Sequence, residues 1–254
     1  MNKEKLDFWN SRAQFKDRAG TNDLMAKTLE VGALTSYVQD GMKILDFGCG
    51  NGITAIEIAK RFEVDIIGID FSNDMIKEAI KNTPKNLKGN LAFVCGSTPL
   101  LEVKEDKYDL IYTERMIINL DSWEQQQKMI SLLISKLRDG GRYLMCENSQ
   151  TGVNEINKAR KELGLDEIIP PWHNRYLNDF EVLKFITEKG LSLKCINSYS
   201  SLYYFLSRIV NAQDAKEKGK QPDYESNINK IALLLPWQII GDTFAQGKIW
   251  EIGR

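Results

Sequence analysis

Short apolar runs alternate with segments of helical periodicity over the first 150 residues. The apolar runs predict five strands, at 42–47, 64–70, 91–96, 108–113 and 142–147. Between them, apolar residues three or four apart predict helices, as at Ile53, Ile56 and Ala59. The resulting order, β-α-β-α-β-β-α-β, favours a parallel sheet that is covered on both faces and joined by right-handed crossovers.

Polar residues mark the ends of two of these helices. Ser72 is placed to cap one helix, which should end before Pro84. Ser122 and Gln125 have capping-box spacing and predict the start of another helix, which should end at the pair 140–141, Gly-Gly.

The pattern is less regular after residue 150. It predicts helices at 152–164, 178–189 and 228–235 and closing strands at 191–199 and 248–252. An insertion at 200–247, with a charged run at 214–223, separates the closing strands. We expect this insertion and the first 40 residues to fold over the carboxyl ends of the strands, where open α/β sheets bind ligands.

The composition argues against a nucleic-acid-binding protein, a membrane-spanning protein and a zinc site. The 254 residues include 34 Lys+Arg and 35 Asp+Glu, so the basic excess typical of a nucleic-acid binder is missing. The apolar stretch 231–240 is interrupted by Pro236 and is shorter than the about 20 residues that cross a bilayer. With no apolar block after the first lysines, we expect a soluble cytoplasmic protein. The four cysteines are far apart and do not predict a zinc site.

Three alternate glycines, Gly48, Gly50 and Gly52, join the first strand to the first helix. Glycines let the backbone approach a ligand beside a helix N-terminus. The third glycine comes one position earlier than in the dinucleotide fingerprint, and Asp46 just upstream would oppose a phosphate and favour a cation. Asp70, at the end of the second strand, can accept both hydroxyls of a ribose. A ribose with a cationic group indicates S-adenosylmethionine (SAM).

With this motif, residues 42–149 resemble the catalytic core of class I, Rossmann-like, SAM-dependent methyltransferases. The resemblance implies an α/β fold: a doubly wound, mostly parallel, seven-stranded sheet with helices on both faces. We expect one domain over 1–254, comprising an N-terminal lid (1–40), a SAM-binding core (41–150) and an acceptor-binding region with the closing strands (151–254). The alternative is a tight strand-to-helix turn that uses glycine only structurally, with Asp70 as a helix cap.

The resemblance also implies which residues bind the cofactor. Gly48 to Gly52 would contact the methionine moiety, Asp46 its amino group, Asp70 the ribose, and Phe71 and Met75 the adenine. Further contacts are expected at the ends of the third and fourth strands, from Gly96, Ser97 and Thr113. Arg18 or Arg12 would pair with the methionine carboxylate, unless these arginines only solvate a helix.

The acceptor site is less specified. His173, the only histidine, is a candidate general base for a hydroxyl acceptor or a structural loop residue. The family places methyl-transfer residues at the end of the fourth strand, here Glu114 and Arg115. Expected acceptor contacts are Asn119, Glu147, Asn148, Arg175, Tyr176, Tyr203 and Tyr204. Glu114 and Glu147 could instead hold Mg²⁺, as in metal-dependent O-methyltransferases, but we expect no metal.

The segments 114–120, 172–176 and 200–208 resemble a bacterial methyltransferase subgroup associated with surface-polysaccharide modification. This resemblance implies O-methylation of a small polar acceptor, such as a sugar hydroxyl or a phosphate or phosphoramidate oxygen of a capsule precursor. Alternatives are N-methylation, metal-dependent O-methylation of another metabolite, SAM binding without catalysis, and nicotinamide-dependent oxidoreduction, which needs the later third glycine. We expect a monomer or homodimer.

Overall fold

The computed structural model describes residues 3–103 and 107–253, which form a seven-stranded sheet of order β3-β2-β1-β4-β5-β7-β6. Strands β1 to β7 span Lys43–Phe47, Asp65–Asp70, Asn90–Cys95, Tyr108–Glu114, Leu137–Asn148, Ser192–Asn197 and Gly247–Gly253. The pairings among β1 to β5 are parallel, and β7 runs antiparallel to β5 and β6. Each predicted strand overlaps an observed one, and the expected Rossmann-like sheet is confirmed.

Helices follow most of the strands. Helices α1 to α11 span Lys3–Arg12, Leu24–Thr35, Ile53–Arg61, Asn73–Asn82, Thr98–Val103, Trp123–Ser135, Gln150–Glu162, Asp179–Glu188, Ser201–Phe205, Asn211–Glu217 and Asn227–Ala232. Short 3₁₀ segments lie at Ala13–Arg18, Ile117–Asn119 and Trp237–Ile240, and a π-type turn lies at Leu206–Val210. Among the residues given a structure, none of the helices has the length and apolarity needed to cross a membrane.

The alternation of side chains along the strands builds two cores, one on each face of the sheet. In β1, Leu45 belongs to the apolar cluster that contains residues of helices α6 and α8, whereas its neighbour Ile44 belongs to the cluster that contains residues of helices α2 and α3. In β4, Ile111 and Leu110 divide in the same way. All four side chains are fully buried, and hydrophobic burial on both faces stabilises the sheet.

We expected the pair Gly140 and Gly141 to end a helix, but this prediction is wrong. Helix α6 ends at Ser135, and both glycines lie inside β5, where the pairing register with β4 shifts after Tyr108. A Cβ on Gly141 would lie 2.9 Å from the Tyr108 carbonyl oxygen, and Gly140 has a φ of +75°. The glycines therefore serve a bulged strand, which the helical pattern upstream did not reveal.

The N-terminal segment and the β6–β7 insertion both lie at the carboxyl end of the sheet. Asn51 in the glycine loop donates a hydrogen bond to the Lys16 carbonyl (2.7 Å). Tyr203 of the insertion donates to Asp23 Oδ1 (2.6 Å), just before α2. The two segments therefore contact each other as well as the strand ends, and they enclose the space above β1 and β4.

Candidate active site

The glycine loop between β1 and α3 needs glycine at two positions for steric reasons. Gly48 has a φ of +86°, and a Cβ there would lie 2.4 Å from Cγ of Met116. Gly52 has a φ of +77°, and a Cβ would lie 2.5 Å from Cζ of Phe93. The Gly48 amide donates to the Ile69 carbonyl (2.7 Å), which ties the loop to β2. The loop thus presents bare backbone to the space above the sheet.

Asp70, at the end of β2, anchors this loop through a hydrogen bond. It is 7% exposed; its Oδ2 accepts the Gly50 amide and its Oδ1 the Ser72 amide, both at 2.9 Å. Burial raises the pKa of Asp70 to about 6, although these hydrogen bonds to the carboxylate act to lower it. The carboxylate keeps further lone pairs for a ligand.

Asp46, at the end of β1, is buried and only half satisfied. Its Oδ2 accepts a hydrogen bond from the Tyr112 hydroxyl (2.8 Å), while its Oδ1 has no partner among the residues described. Burial raises the pKa of Asp46 to about 8. A buried acceptor without a donor is costly, so a cationic or N–H-bearing ligand would be favoured here.

These groups line a first cavity, which we term the glycine-loop cavity. Its lining residues are Trp9, Gly20, Lys27, Asp46, Gly48, Cys49, Gly50, Asn51, Asp70, Phe71, Met75, Glu114, Arg115, Met116 and Asn119. The set brings together the predicted cofactor residues Asp46, Gly48, Gly50, Asp70, Phe71 and Met75.

Arg18 is placed elsewhere. Its guanidinium is about half exposed and forms an ion pair with Glu225 (3.1 Å), outside the glycine-loop cavity. Arg12 lines a neighbouring cavity instead, and its Nε donates to the Ala19 carbonyl (2.8 Å). Within the glycine-loop cavity the cationic side chains are Lys27 and Arg115. The local pattern in the N-terminal segment could not distinguish these positions.

Three other predicted cofactor contacts also lie away from this cavity. Thr113 is fully buried, and its Oγ1 lies 2.8 Å from the Tyr143 hydroxyl, so it joins two strands. The Gly96 amide donates to the Asp70 carbonyl (2.8 Å), which extends the β2–β3 pairing, and Ser97 is exposed. The alternation of side chains along β4 turns Thr113 away from the cavity and Glu114 into it.

A second cavity of about 330 Å³ adjoins the first. It is lined by Phe8, Trp9, Arg12, Ala19, Gly20, Thr21, Asn22, Ala26, Glu30, Arg115, Ile118, Asn119, Asn148, Pro171, His173, Asn174, Tyr176, Tyr204, Arg208, Tyr224 and Gln246. The two cavities share Trp9, Gly20, Arg115 and Asn119, which we call the junction.

Arg115 is the charged residue of the junction. Its φ of +54° is unusual for a residue with a side chain, and such strain concentrates at functional sites. Its Nη1 donates to the Gly20 carbonyl (2.8 Å), and its Nη2 lies 3.3 Å from Glu30 and 3.5 Å from Glu114. The Arg115 side chain therefore joins the N-terminal segment to the end of β4.

Glu114 is the ionised partner in this cluster. Lys27 forms a short ion pair with its Oε1, and the Thr54 hydroxyl donates to its Oε2 (2.5 Å). Burial alone would raise the pKa of Glu114, but the charges of Lys27 and Arg115 outweigh burial and lower it.

Lys27 and Glu30 were not predicted from the sequence. Glu30 lies on the buried stripe of α2 with Ala26 and Leu34, at the spacing of a core-facing residue. A charged residue on an otherwise apolar helix face was the available signal.

His173 lines the second cavity but is a weak base there. Burial lowers its pKa to about 4, and the charges of Lys5 and Arg12 add to this effect. Its ring packs against Phe8, with centroids 4.4 Å apart, and against Trp172. Its Nδ1 accepts no hydrogen bond from the described part of the chain. The imidazole is thus neutral at pH 7 and can orient a hydroxyl.

Glu147 has a structural task rather than the predicted acceptor contact. It is 1% exposed, and it accepts the amides of Met116 (3.2 Å), Ile117 (3.0 Å) and Ile118 (3.4 Å), which fixes the turn after Arg115. Burial raises its pKa to about 7. Across residues 3–103 and 107–253, no group of three or more His, Cys, Asp and Glu side chains is arranged to hold a metal.

Two further predicted acceptor residues are occupied elsewhere. Arg175 donates to Gln126 Oε1 (2.7 Å), and Tyr203 is 1% exposed with its hydroxyl on Asp23. The remaining predicted acceptor residues line the second cavity: Asn119, Asn148, Tyr176 and Tyr204.

The second cavity also holds Arg208 and Asn174, from the segments 200–208 and 172–176, the predicted acceptor residue Asn148, and Gln246, which no local motif identified. Arg208 lies between the rings of Tyr204 and Tyr224, with its guanidinium carbon 4.9 and 4.8 Å from their centroids, and it pairs with Asp23 (2.6 Å). Three buried amide oxygens of its wall find no donor among the described residues: Asn148 Oδ1, Asn174 Oδ1 and Gln246 Oε1. The wall can therefore accept hydrogen bonds from a ligand.

A family model described as "Methyltransferase domain" matches residues 38–190. The chain is 30% identical over 143 residues to Carboxy-S-adenosyl-L-methionine synthase from Nautilia profundicola, covering 54% of this chain and 58% of that protein. It is 27% identical over 132 residues to Phosphoethanolamine N-methyltransferase 3 from Arabidopsis thaliana, covering 51% of this chain and 26% of that protein. The matches thus span 58% or less of these relatives.

The fold is similar to that of a TehB-like SAM-dependent methyltransferase from Corynebacterium glutamicum. The TM-score is 0.53 over 100% of both chains, at 14% sequence identity. At this identity the likeness concerns the fold alone.

Proposed function

The chain belongs to the methyltransferase domain family, whose model covers residues 38–190, and we propose that it transfers a methyl group from SAM to a hydroxyl oxygen of a small anionic acceptor. One observation carries the proposal: a cavity built from the glycine loop and two acids adjoins a second cavity rich in arginine and aromatic side chains, and Arg115 lines both.

The residues of the glycine-loop cavity fit SAM. The unpartnered Oδ1 of Asp46 suits the ammonium of the methionine moiety, and Asp70 suits the ribose hydroxyls. Phe71 and Met75 supply apolar surface for the adenine. Lys27 replaces Arg18 in our proposal as a cation for the methionine carboxylate. When bound, SAM supplies an electrophilic methyl group on a sulfonium, whose departure leaves a neutral thioether.

The charges of the second cavity favour an anion. Arg12, Arg115 and Arg208 line it, against one lining carboxyl group, Glu30. Arg208 is balanced by Asp23, but Arg12 has no carboxylate within ion-pair distance in the described ranges. Guanidinium groups bind carboxylate and phosphate oxygens through paired hydrogen bonds.

The amide oxygens and aromatic walls favour an acceptor that also carries hydroxyl groups. Asn148, Asn174 and Gln246 offer hydrogen-bond acceptors to hydroxyl donors, and Trp9 and Tyr176 offer flat apolar surface. A sugar acid or sugar phosphate satisfies both demands. It also agrees with the resemblance to methyltransferases of surface-polysaccharide precursors, which supports this acceptor class.

The direct test is transfer of a labelled methyl group from SAM to a panel of sugar acids, sugar phosphates, neutral sugars and amines, including phosphoethanolamine. We expect label in an anionic, hydroxylated compound as an alkali-stable ether. Arg12→Met should raise the KM for that compound about tenfold without changing S-adenosylhomocysteine (SAH) affinity. The matched control is Arg61→Met, which removes an exposed arginine from α3. Transfer only to amines or neutral sugars would contradict the proposal, and SAH binding without transfer to any acceptor would favour a non-catalytic binding protein.

SAH binding should strengthen as the pH rises from 5 to 8. Asp70, with a pKa raised to about 6, and Asp46, with a pKa raised to about 8, must lose protons to accept ligand donors. Protonation therefore competes with the ligand on the acid side, and the competition ends above these pKa values. At pH 5, protonation of Asp70 alone should weaken binding about tenfold. Calorimetry in matched buffers measures this, and an affinity that is constant from pH 5 to 8 would contradict the assignment of both carboxylates.

A further inference from the structure

A buried carboxyl group, Glu30, lies beside the junction of the two cavities. It is 3% exposed and lines the second cavity from α2, whereas Glu114 lines the glycine-loop cavity and Arg115 lines both. A methyl group that passes from one cavity to the other must cross the junction. Glu30 thus lies on the acceptor side of the junction, and its Oε2 is 3.3 Å from Arg115 Nη2.

The surroundings of the two carboxyl groups differ. Both lie beside Arg115 Nη2, at 3.3 Å for Glu30 and 3.5 Å for Glu114, so ionisation of one acts to raise the pKa of the other. Glu114 also pairs with Lys27 and accepts from Thr54, so it is the ionised partner. Glu30 is therefore the partner that takes up a proton first.

One oxygen of Glu30 is buried without a hydrogen-bond donor. Its Oε2 lies 3.3 Å from Arg115 Nη2, but it accepts no hydrogen bond from any residue in the described ranges. A buried carboxyl oxygen without a donor, on a residue that lines a cavity, is normally satisfied by a ligand or by water.

The surroundings of Glu30 place its ionisation near neutral pH. Its pKa is raised to about 8: burial is the largest cause and Glu114 adds to it, while Arg115 and Lys27 act to lower the pKa. The other titratable groups that face it are Cys146 on β5 and the hydroxyls of Tyr199 and Tyr204, whose own pKa values are raised by burial. A general base works best when its pKa is close to the working pH, and Glu30 meets this condition better than His173 with its pKa of about 4.

We propose that Glu30 is the general base that takes the proton from the acceptor hydroxyl during methyl transfer. This inference rests on the proposed function. In the step, the hydroxyl oxygen forms the bond to the methyl carbon, the carbon–sulfur bond breaks with its electron pair on sulfur, and the hydroxyl proton moves to Glu30 Oε2. Arg115 holds the carboxylate toward the acceptor, and the proton later passes to solvent when the product leaves.

The kinetic test compares the wild type with Glu30→Gln, using the anionic acceptor found in the labelled-methyl screen. We expect kcat to fall about 100-fold in the variant, and wild-type kcat/KM to rise with pH through an inflection near 8 that the variant lacks. SAH affinity at pH 8 should stay within threefold of the wild type, which separates a loss of base from a loss of the site. Glu57→Gln, which changes a carboxylate on α3 outside both cavities, is the matched control. Activity of Glu30→Gln within threefold of wild type, or an unchanged pH profile, overturns the proposal.

A second measurement works even if no acceptor is found. The side-chain carboxyl carbons of glutamate are labelled with ¹³C in the SAH-bound protein, and the resonance that is absent in Glu30→Gln is titrated. We expect a midpoint between about pH 7 and 9, in keeping with the pKa of about 8. A midpoint below 6 overturns the assignment. If Glu30 titrates as expected but the wild type transfers no methyl group to any panel member, the proposed function fails and the base fails with it.

Discussion

Replacing Asp70 with alanine is expected to weaken SAH binding at least 100-fold. The side chain has two tasks: it offers oxygen atoms to the ribose, and it holds the Gly50 and Ser72 amides at 2.9 Å. Hydrogen bonds to a charged group contribute about 1.5–3 kcal/mol each, and tenfold in affinity corresponds to about 1.4 kcal/mol. Loss of the ribose contacts and of the loop anchor together therefore exceeds a factor of 100. Calorimetry with SAH measures the effect.

Two variants separate these tasks from general damage. Asp70→Asn keeps one acceptor oxygen and the volume of the side chain, so it should bind SAH more tightly than Asp70→Ala but less tightly than the wild type. Asp65→Ala changes an exposed carboxylate at the opposite end of β2 and should leave the affinity unchanged. If Asp70→Ala binds SAH within threefold of the wild type while remaining folded, the ribose assignment is wrong.

The fold could be predicted because its pattern is local and repeated. Apolar runs such as 42–47 and 64–70 are buried on both faces, and the helices between them show one apolar side. The glycines at 140–141 were misassigned because a bulge depends on the partner strand. The approach of the Tyr108 carbonyl oxygen, 33 positions earlier in the chain, requires glycine at Gly141, and no local pattern carries that information.

The residues of the glycine-loop cavity could be predicted better than those of the second cavity, for the same reason. The glycine loop and Asp70 form a short strand–turn–helix unit, and the structure gathers six of the residues predicted from it around one cavity. The second cavity is assembled from distant segments, so residue type alone did not show orientation. Glu147 resembles a ligand-binding carboxylate in the sequence, but three amides of the turn after Arg115 occupy it. Conversely, Lys27 and Glu30 belong to no motif. Although Glu30 lies on the buried stripe of α2, the partners of both residues become apparent only when the end of β4 is placed against the helix.

Replacing Lys27 with methionine is expected to lower the free energy of unfolding by about 3 kcal/mol, because it leaves a buried carboxylate without its main counter-charge. The side chains of Lys27 and Glu114 are 14% and 7% exposed, so solvent screens this pair little. Arg115, 3.5 Å from Glu114, compensates in part, which places the expected cost at the lower end of the range for broken buried pairs. Urea unfolding at pH 7 measures the change.

The double variant Lys27→Met/Glu114→Gln distinguishes charge from packing. It removes the unpaired carboxylate, so it should recover most of the lost stability. The single variant Glu114→Gln leaves the buried Lys27 without its carboxylate partner, and it should also be destabilising. Lys60→Met on α3 breaks an ion pair whose members are 45% and 30% exposed, and should cost less than about 1 kcal/mol.

The pH dependence of stability gives an independent check. In the wild type the pKa of Glu114 is lowered on folding, so its contribution is present above the unfolded pKa and is lost as the pH falls through the folded pKa. In Lys27→Met most of this acid-side loss should disappear, because the carboxylate no longer gains its lysine on folding. If the single variant is as stable as the wild type, or the double variant no more stable than the single, the pair does not hold α2 against the end of β4. Of the charged contacts between α2 and the end of β4, the one that Arg115 makes would then be the one that matters.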